Sequence, residues 1–412
     1  MFKRRRIRKW PNDKLQWRRR NISVSMKNNI TIIGGGIIGT SIAYHLARTG
    51  KAGDVMVVER DRTYEEAATP RGSGGIRQLF SLPENIAMAQ FGLNFYKNFD
   101  TIMSTSTQPA SISFKKQGYL FVSDGGNAKT MVENLEQQQK AGVNAEILDC
   151  RSISKLFPSI NCKDINLAVY SPDDAWIDAY SALQGFRAKS KELGVTFLED
   201  EIVAGDVYKG KISTLHCLSG QTLHQDIVVL AAGAWSKQIA SFFDICLPVD
   251  PMSRESYFFR CGEELEALPF IKTETDLAFR PEGDGYTGGV PDWSVNAGWN
   301  WELSNDYFEH TVWPALANRV PAMEVIKLER SWRGHYARNS LDFNAILGQW
   351  IENPKNLFIA AGFSGHGIMH APATGQAISE LILTNRFQTV DLTRFGPGRI
   401  LEKKPYRESG II

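Results

Sequence analysis

NITIIGGGIIGTSIAYHLARTGKAGDVMVVE, residues 29–59, decides the fold. Asn29 to Ile33 reads as a short apolar strand, and Gly34-Gly35-Gly36-Ile37-Ile38-Gly39 follows it in the spacing G-x-G-x-x-G. Ile38, Ile42, Ala43, Leu46 and Ala47 then fall on one helical face, and Gly50 ends the run. A second strand, Val55 to Val58, stops at Glu59, twenty positions beyond Gly39. Each part contributes to holding a dinucleotide. Gly34 permits a tight turn, Gly36 lets the backbone approach a pyrophosphate, and Gly39 lets helix and strand pack closely. The helix start at Ile37 and Ile38 offers N–H groups to phosphate oxygens. Glu59, with Arg60 beside it, is placed to meet a ribose. The motif alone does not separate FAD from NAD.

Composition bounds what this unit serves. A chain of 412 residues is too long for one core and suits two domains. The formal charge of +2 hides an asymmetry: residues 1–25 carry ten Lys or Arg against Asp13, a net of +9, which leaves −7 for the remainder. A body of that sign has no electrostatic attraction for nucleic acid. The basic leader admits three readings: a mitochondrial-type transit peptide, an arm for anionic partners, or an extension upstream of a true start at Met26. Residues 30–47 contain no Asp, Glu, Lys or Arg and imitate a membrane span, but Gly34, Gly35, Gly36 and Gly39 interrupt them as a phosphate-binding turn. No transmembrane segment is expected, and the location is cytoplasmic, or mitochondrial if residues 1–25 are a transit peptide. Five scattered cysteines without a CxxC argue for a reducing compartment and against a disulfide framework or metal ribbon. His216, Cys217 and His224 lie in a stretch that reads as a hairpin turning at Ser219-Gly220, so no metal site is assigned.

Downstream, helices are expected around 84–99, 128–141, 176–196 and 372–383, with buried strands at 118–123, 227–231 and 357–361. Residues 250–330 alternate like strands until about Asp306. Buried-strand and glycine-turn elements at the start, middle and end imply a doubly wound, Rossmann-like α/β domain interrupted by an α+β substrate domain with a mixed, mainly antiparallel sheet. The nucleotide-binding domain is assembled from 27–110, 176–248 and 331–390, the substrate domain from 111–175 and 249–330, and 391–412 is a tail.

Four motifs in order carry a family resemblance: GGGIIG at 34–39 with Glu59, SGGIR at 73–77, VVLAAGAWS at 228–236, and AAGFSGHGIMHAPATG at 360–375. The chain resembles the D-amino-acid-oxidase superfamily of flavoproteins, which includes sarcosine oxidase, glycine oxidase and dimethylglycine dehydrogenase. SGGIRQLFSLPENI at 73–86, RFQTVDL at 386–392 and the terminal GII are similar to a subgroup of FAD-dependent oxidoreductase-domain proteins tied to assembly of a respiratory complex, and to its bacterial relatives. The resemblance implies FAD, with substrate held between the domains at the flavin face. Gly34, Gly36, Ile37, Ile38, Gly39, Glu59 and Arg60 would hold the ADP half. Ser73, Gly74, Gly75, Ile76 and Arg77 would lie near the flavin, with Gly362, Gly365, His366, Gly367, Ile368 and Met369. Val203, Ala232, Gly233 and Trp235 would close the cofactor site. With a single fingerprint, electrons would leave to oxygen, a quinone or an electron-transfer protein.

Departures from the family pattern are as informative. Where sarcosine oxidases place a carboxylate-binding arginine stands Phe80, and where they place a lysine after GHGF stands Met369. Glycine oxidases carry a carboxylate arginine where Tyr336 appears, and the cysteine that tethers flavin in sarcosine oxidase aligns near Gly334. Non-covalent FAD is therefore expected, and the usual anchors for an amino-acid carboxylate are missing. His335, His366 and His370 are candidate bases by chemistry. Tyr257, Tyr336, Arg254 and Arg280 lie in segments the family folds toward the flavin, and Arg254 and Arg280 are candidates to replace the lost anchors. Trp293, Trp299, Trp301 and Trp313 suit either an aromatic cage or ordinary packing. The expected activity is oxidation of the C–N bond of a small secondary or tertiary amine or amino acid by hydride transfer to flavin N5. The alternative is a flavoprotein assembly or scaffold factor with little turnover.

Overall fold

The structure, a computed structural model, describes residues 28–410. The basic segment 1–25 and the proposed start at Met26 lie outside the described residues. Asn29–Ile33, the chain's first strand, sits in the middle of a six-stranded sheet. The order is Ile346–Gln349, Leu357–Ala361, Ile227–Leu230, Asn29–Ile33, Asp54–Glu59 and Thr196–Glu199. Every neighbouring pair is parallel except at the Ile346–Gln349 edge. A parallel sheet needs cover on both faces, which is why its strands read as unbroken apolar runs. Helices Ile37–Ala47, Pro83–Lys97, Ala179–Glu192 and Gly367–Thr384 cover one face. A small antiparallel sheet containing Ile202–Tyr208 and Lys211–Cys217 covers the other.

The second large sheet has eight strands, led by Ile326–Asn339, Val249–Cys261, Gly285–Gly289, Ala278–Glu282, Phe270–Thr273 and Tyr119–Ser123. Its pairings are antiparallel except that of Phe270–Thr273 with Tyr119–Ser123. One face buries Tyr257, Phe259, Ile271 and Phe279 against Phe308, Val312 and Leu316. Alternate residues therefore project from the opposite face. The mixed, mainly antiparallel second sheet agrees with the sequence reading.

Four expectations change. Residues 331–339 belong to the second sheet, because Ile326–Asn339 pairs with Val249–Cys261 as one unbroken strand. The last long helix starts at Gly367, five residues before Pro372. Proline inside a helix leaves the carbonyl four residues earlier without its N–H, and here the Tyr96 hydroxyl donates to that Ile368 carbonyl at 2.8 Å. Cys150 and Cys162 form a disulfide, their Cα atoms 5.4 Å apart. Their scattered placement in the sequence carried no pairing signal. Residues 391–410 are docked rather than loose: Arg399 pairs with buried Asp342, and the Glu408 carboxylate accepts from the backbone N–H groups of Ser81 and Leu82. The stretch holding His216 does fold as a hairpin, with His216 Nε2 2.8 Å from Asp206. Among the described residues, no helix is long and apolar enough to cross a membrane.

Gly39 shows how tightly the nucleotide unit is built. A Cβ there would stand 1.9 Å from the Gly34 carbonyl oxygen, backbone against backbone. Gly39→Ala should therefore cost about 3 kcal/mol or more and lower Tm by several degrees, which thermal unfolding followed by circular dichroism will measure.

Candidate functional site

The glycine turn after the first strand and the Gly-His loop before the last helix open into one cavity of about 410 Å³. Glu59, Arg60 and Trp235 line one end, Gly36 and Thr69 the middle, and Arg254, Tyr336 and Met369 the other. Two helix N-termini meet it, capped at Gly36 and His366 without any side-chain cap bond or first-turn acid. Their first-turn N–H groups and the positive ends of their dipoles are left largely for an occupant.

The backbone around this cavity is bare in a way the protein's own packing does not require. Gly36 has an ordinary φ of −64°, and a Cβ there would meet nothing nearer than Thr69 Oγ1 at 3.7 Å. Gly233 and Gly365 also face open space, although their φ values of +53° and +97° already favour glycine there. Bare backbone, uncapped helix ends and an elongated shape fit a dinucleotide, with its diphosphate at Gly36 and its ring at Gly365 to Met369. Two backbone donors hold Glu59 in position for a ribose. Gly35 N–H donates to one carboxylate oxygen at 2.7 Å and Asp61 N–H to the other at 3.0 Å. Burial raises its pKa above the ordinary carboxylate value.

A loop of the strand-rich domain closes the nucleotide end. The Arg60 guanidinium lies 4.1 Å from the Trp235 ring, and Trp235 packs on Trp299 at 4.5 Å. Trp299 stacks on Trp301, and the Trp301 ring is 4.3 Å from His335. Trp293 instead lies under Arg254, and Trp313 donates to the Met323 carbonyl away from the site. These rings cover the cavity; they do not form a cage around a point within it.

His335 lines the cavity, but its Nε2 accepts from Asn300 N–H at 2.9 Å. Burial, then Arg333, pushes its pKa down to about 4, so the ring is neutral. His366 does not line the cavity. Its Nε2 accepts from Arg77 at 3.1 Å, and burial with that guanidinium holds its pKa well below the usual value. His370 is likewise lowered, to about 3, first by burial. No histidine here is poised near pH 7. At the far end, the Arg254 guanidinium donates to the Tyr336 hydroxyl at 3.0 Å, and both residues face the cavity.

Most of the expected cofactor set lines the cavity, including Ile37, Ile38, Ser73, Gly74, Gly75, Ala232, Gly367 and Ile368. Gly39, Ile76, Arg77 and Gly362 stand behind this lining and support it. Three residues are placed elsewhere. Val203 is exposed because strand alternation turns Ile202 inward instead. Tyr257 projects from the opposite face of its sheet into the core beside Phe308. Arg280 is taken up by the Ser73 carbonyl and by Glu282. Sequence reasoning missed Thr69, whose hydroxyl accepts from Ile37 N–H at 3.3 Å, and Arg71, which bonds the Arg333 carbonyl. It also missed Lys272 and Asp174. Burial lifts the pKa of Asp174 to about 7 as it holds Gln78. Thr69 and Arg71 fall in the small-residue, glycine-rich stretch 67–82, which reads as a loop of the sort that lies against a cofactor, whereas Lys272 and Asp174 sit in no motif and no local signal pointed to them.

Comparison with known proteins agrees with this geometry. The profile of the family described as FAD dependent oxidoreductase (DAO) matches residues 29–381. FAD-dependent oxidoreductase domain-containing protein 1 from Bos taurus is 34% identical, over 90% of this chain and 84% of its own length. Glycine oxidase from Bacillus licheniformis is 26% identical, over 87% of this chain and 94% of its own. Among solved structures, L-proline dehydrogenase from P. horikoshii superposes with a TM-score of 0.82 at 26% identity, covering 92% of this chain and 99% of its own.

Two outcomes follow from the site. Gly36→Val should leave the fold intact, since no protein atom is in the way, and abolish retention of FAD through gel filtration. The histidines set an acid limit. His335 and His370 titrate near 4 and 3 when folded and near 6.5 when unfolded. Between those values the unfolded chain binds more protons. Stability is therefore lost as pH falls from about 6.5 toward 4, by up to about 1.4 kcal/mol per pH unit for each ring. Tm at pH 5 should be lower than at pH 7, which calorimetry will show.

Proposed function

We propose that this chain, which belongs to the DAO family of FAD-dependent oxidoreductases, oxidises the C–N bond of a small carboxylate-bearing amine. The observation that carries the reading is the Arg254–Tyr336 pair at the ring end of the cavity. Arg254 makes no salt bridge among the described residues, and its pKa is lowered, chiefly by burial. This half-buried guanidinium packs over the Trp293 and Tyr336 rings but has no carboxylate partner, and its planar fork suits a carboxylate in two-point contact.

FAD, held by the Gly36 turn and the Gly365 to Met369 loop, would supply the two-electron acceptor for oxidation of the C–N bond, and the imine product would be hydrolysed by water. The residues of this chain orient and exclude. Arg254 and Tyr336 fix the carboxylate, so that the adjacent carbon faces the ring held by Gly365 to Met369. The neutral His335 and His366 are occupied by Asn300 and Arg77 and serve as supports rather than bases. The amine must then enter deprotonated. A cysteinyl tether to FAD has no donor here, because Gly334 lines the cavity and, among the described residues, no cysteine does. Reoxidation by oxygen, a quinone or an electron-transfer protein is left to kinetics.

Anaerobic mixing with sarcosine, dimethylglycine, proline and D-amino acids should bleach the flavin. Arg254→Met should weaken the effective amine at least a hundredfold in Kd, by the loss of about 3 kcal/mol, while FAD content stays unchanged. The reduction rate should rise with pH toward the pKa of the substrate amine, with no histidine break near 6.5, since His335 is pushed down to about 4. Silence across the panel would instead favour an assembly or scaffold role.

A further inference from the structure

We propose that Lys272, acting with Arg254, makes the substrate chamber a receptor for an amine carrying two acidic groups. The inference rests on the amine-oxidising reading and deepens it.

Register across the eight-stranded sheet carries the case. Lys272 on Phe270–Thr273 is paired with Phe121 on one side and with Ala278 on the other. Ala278 is paired with Gly289. Tyr257 is opposite Gly288, so Ser256 falls beside Gly289, and Arg254 is two residues further on the same face. The alternate residues Ile271, Phe279 and Tyr257 are fully buried on the other face, whereas Lys272, Ala278 and Gly289 keep some exposed surface. Lys272 and Arg254 thus rise from one sheet face, three strand spacings across and two residues along, about 16 Å apart at the backbone. Between them lies a floor of alanine, glycine and serine. Two long cationic side chains over a floor of small residues leave room for a short molecule between their heads.

The charges on this floor do not balance. Arg254 donates only to the Ser253 carbonyl and the Tyr336 hydroxyl. Lys272 has no hydrogen-bond acceptor and no salt bridge among the described residues. Arg338 lies near enough to Arg254 and Tyr336 to be felt electrostatically, also makes no salt bridge, and has a buried Nε without a partner. Against these three cations, Asp276 is the carboxylate felt by both Arg254 and Lys272, and it is engaged by Trp293 Nε1 at 2.6 Å. Arg77 adds a fourth positive charge from behind. Burial, then Arg77, pushes the Lys272 ammonium down to about 8, as expected of a cation awaiting a counter-charge. Three cations and one carboxylate leave two positive charges to be met, more than a single substrate carboxylate supplies. Lys272 is not among the residues lining the cofactor cavity; it stands across the Ala278, Gly289 and Ser256 floor from Arg254, which is.

The test uses the FAD-loaded protein and anions that cannot be oxidised, read as perturbation of flavin absorbance. Succinate and glutarate should bind at least tenfold more tightly than acetate. Lys272→Met should bring them to within threefold of acetate, and Lys272→Arg should keep the preference; FAD content checks that each variant is folded. Equal affinity for acetate and succinate in the unaltered protein, or a preference that survives Lys272→Met, overturns the proposal. A turnover arm compares anaerobic flavin reduction by N-methylaspartate with that by sarcosine, and a faster rate with sarcosine also counts against it. If no amine reduces the flavin yet the dicarboxylate preference disappears in Lys272→Met, the anion receptor stands and the amine-oxidising reading fails.

Discussion

The close crossing of the first helix and the last long helix is the contact on which the site depends. A Cβ on Gly375 would stand 2.4 Å from Ser41 Oγ, and the Ser41 hydroxyl donates to the Ala371 carbonyl at 2.8 Å. Only small residues allow that approach. Because the two helices lock together along Gly375 and Ser41, their N-termini at Gly36 and His366 open into the same cavity. The two loops stay close enough to share one elongated dinucleotide-sized cavity only while that crossing holds.

The two large sheets divide the work by chemistry. The parallel sheet contributes backbone: glycine turns, uncapped helix ends and a carboxylate fixed by two N–H groups. Little of this depends on side-chain identity beyond the glycines and Glu59. The antiparallel sheet contributes side chains from one face, and those are cationic and largely without partners. The carboxylate of Glu59 at one end and the guanidinium of Arg254 at the other give the cavity a direction. The buried histidines His45, His335, His366 and His370, of which His335 lines the cavity, are held neutral by burial and by neighbouring cations, so they add no charge to that pattern at neutral pH.

Legibility in the sequence followed the range of the interaction. The nucleotide unit could be read because its constraints are local: Gly34, Gly39 and Glu59 act on backbone within one strand–helix–strand unit. The helix-spaced apolar residues and the unbroken strand at 357–361 were local in the same sense. Val203 and Tyr257 were misplaced because one step of register turns a strand residue to the opposite face, and composition does not fix that step. Periodicity starts the last helix at Pro372, too late, because the hydroxyl that satisfies the freed carbonyl belongs to Tyr96, far away in the chain. Arg280 was misread for a similar reason, its partner being the carbonyl of Ser73.

By itself, then, the sequence determined a doubly wound fold around a dinucleotide turn, since glycine spacing and strand periodicity are properties of short segments; the choice of FAD came from the resemblance carried by four motifs in order. Only the tertiary structure decided which cations meet over the substrate floor. Lys272, Arg254 and Arg338 come from three strands, and no motif links them. Their partnership exists because pairing register brings them to one sheet face, and register is settled by packing across the whole sheet rather than by any neighbour in the chain.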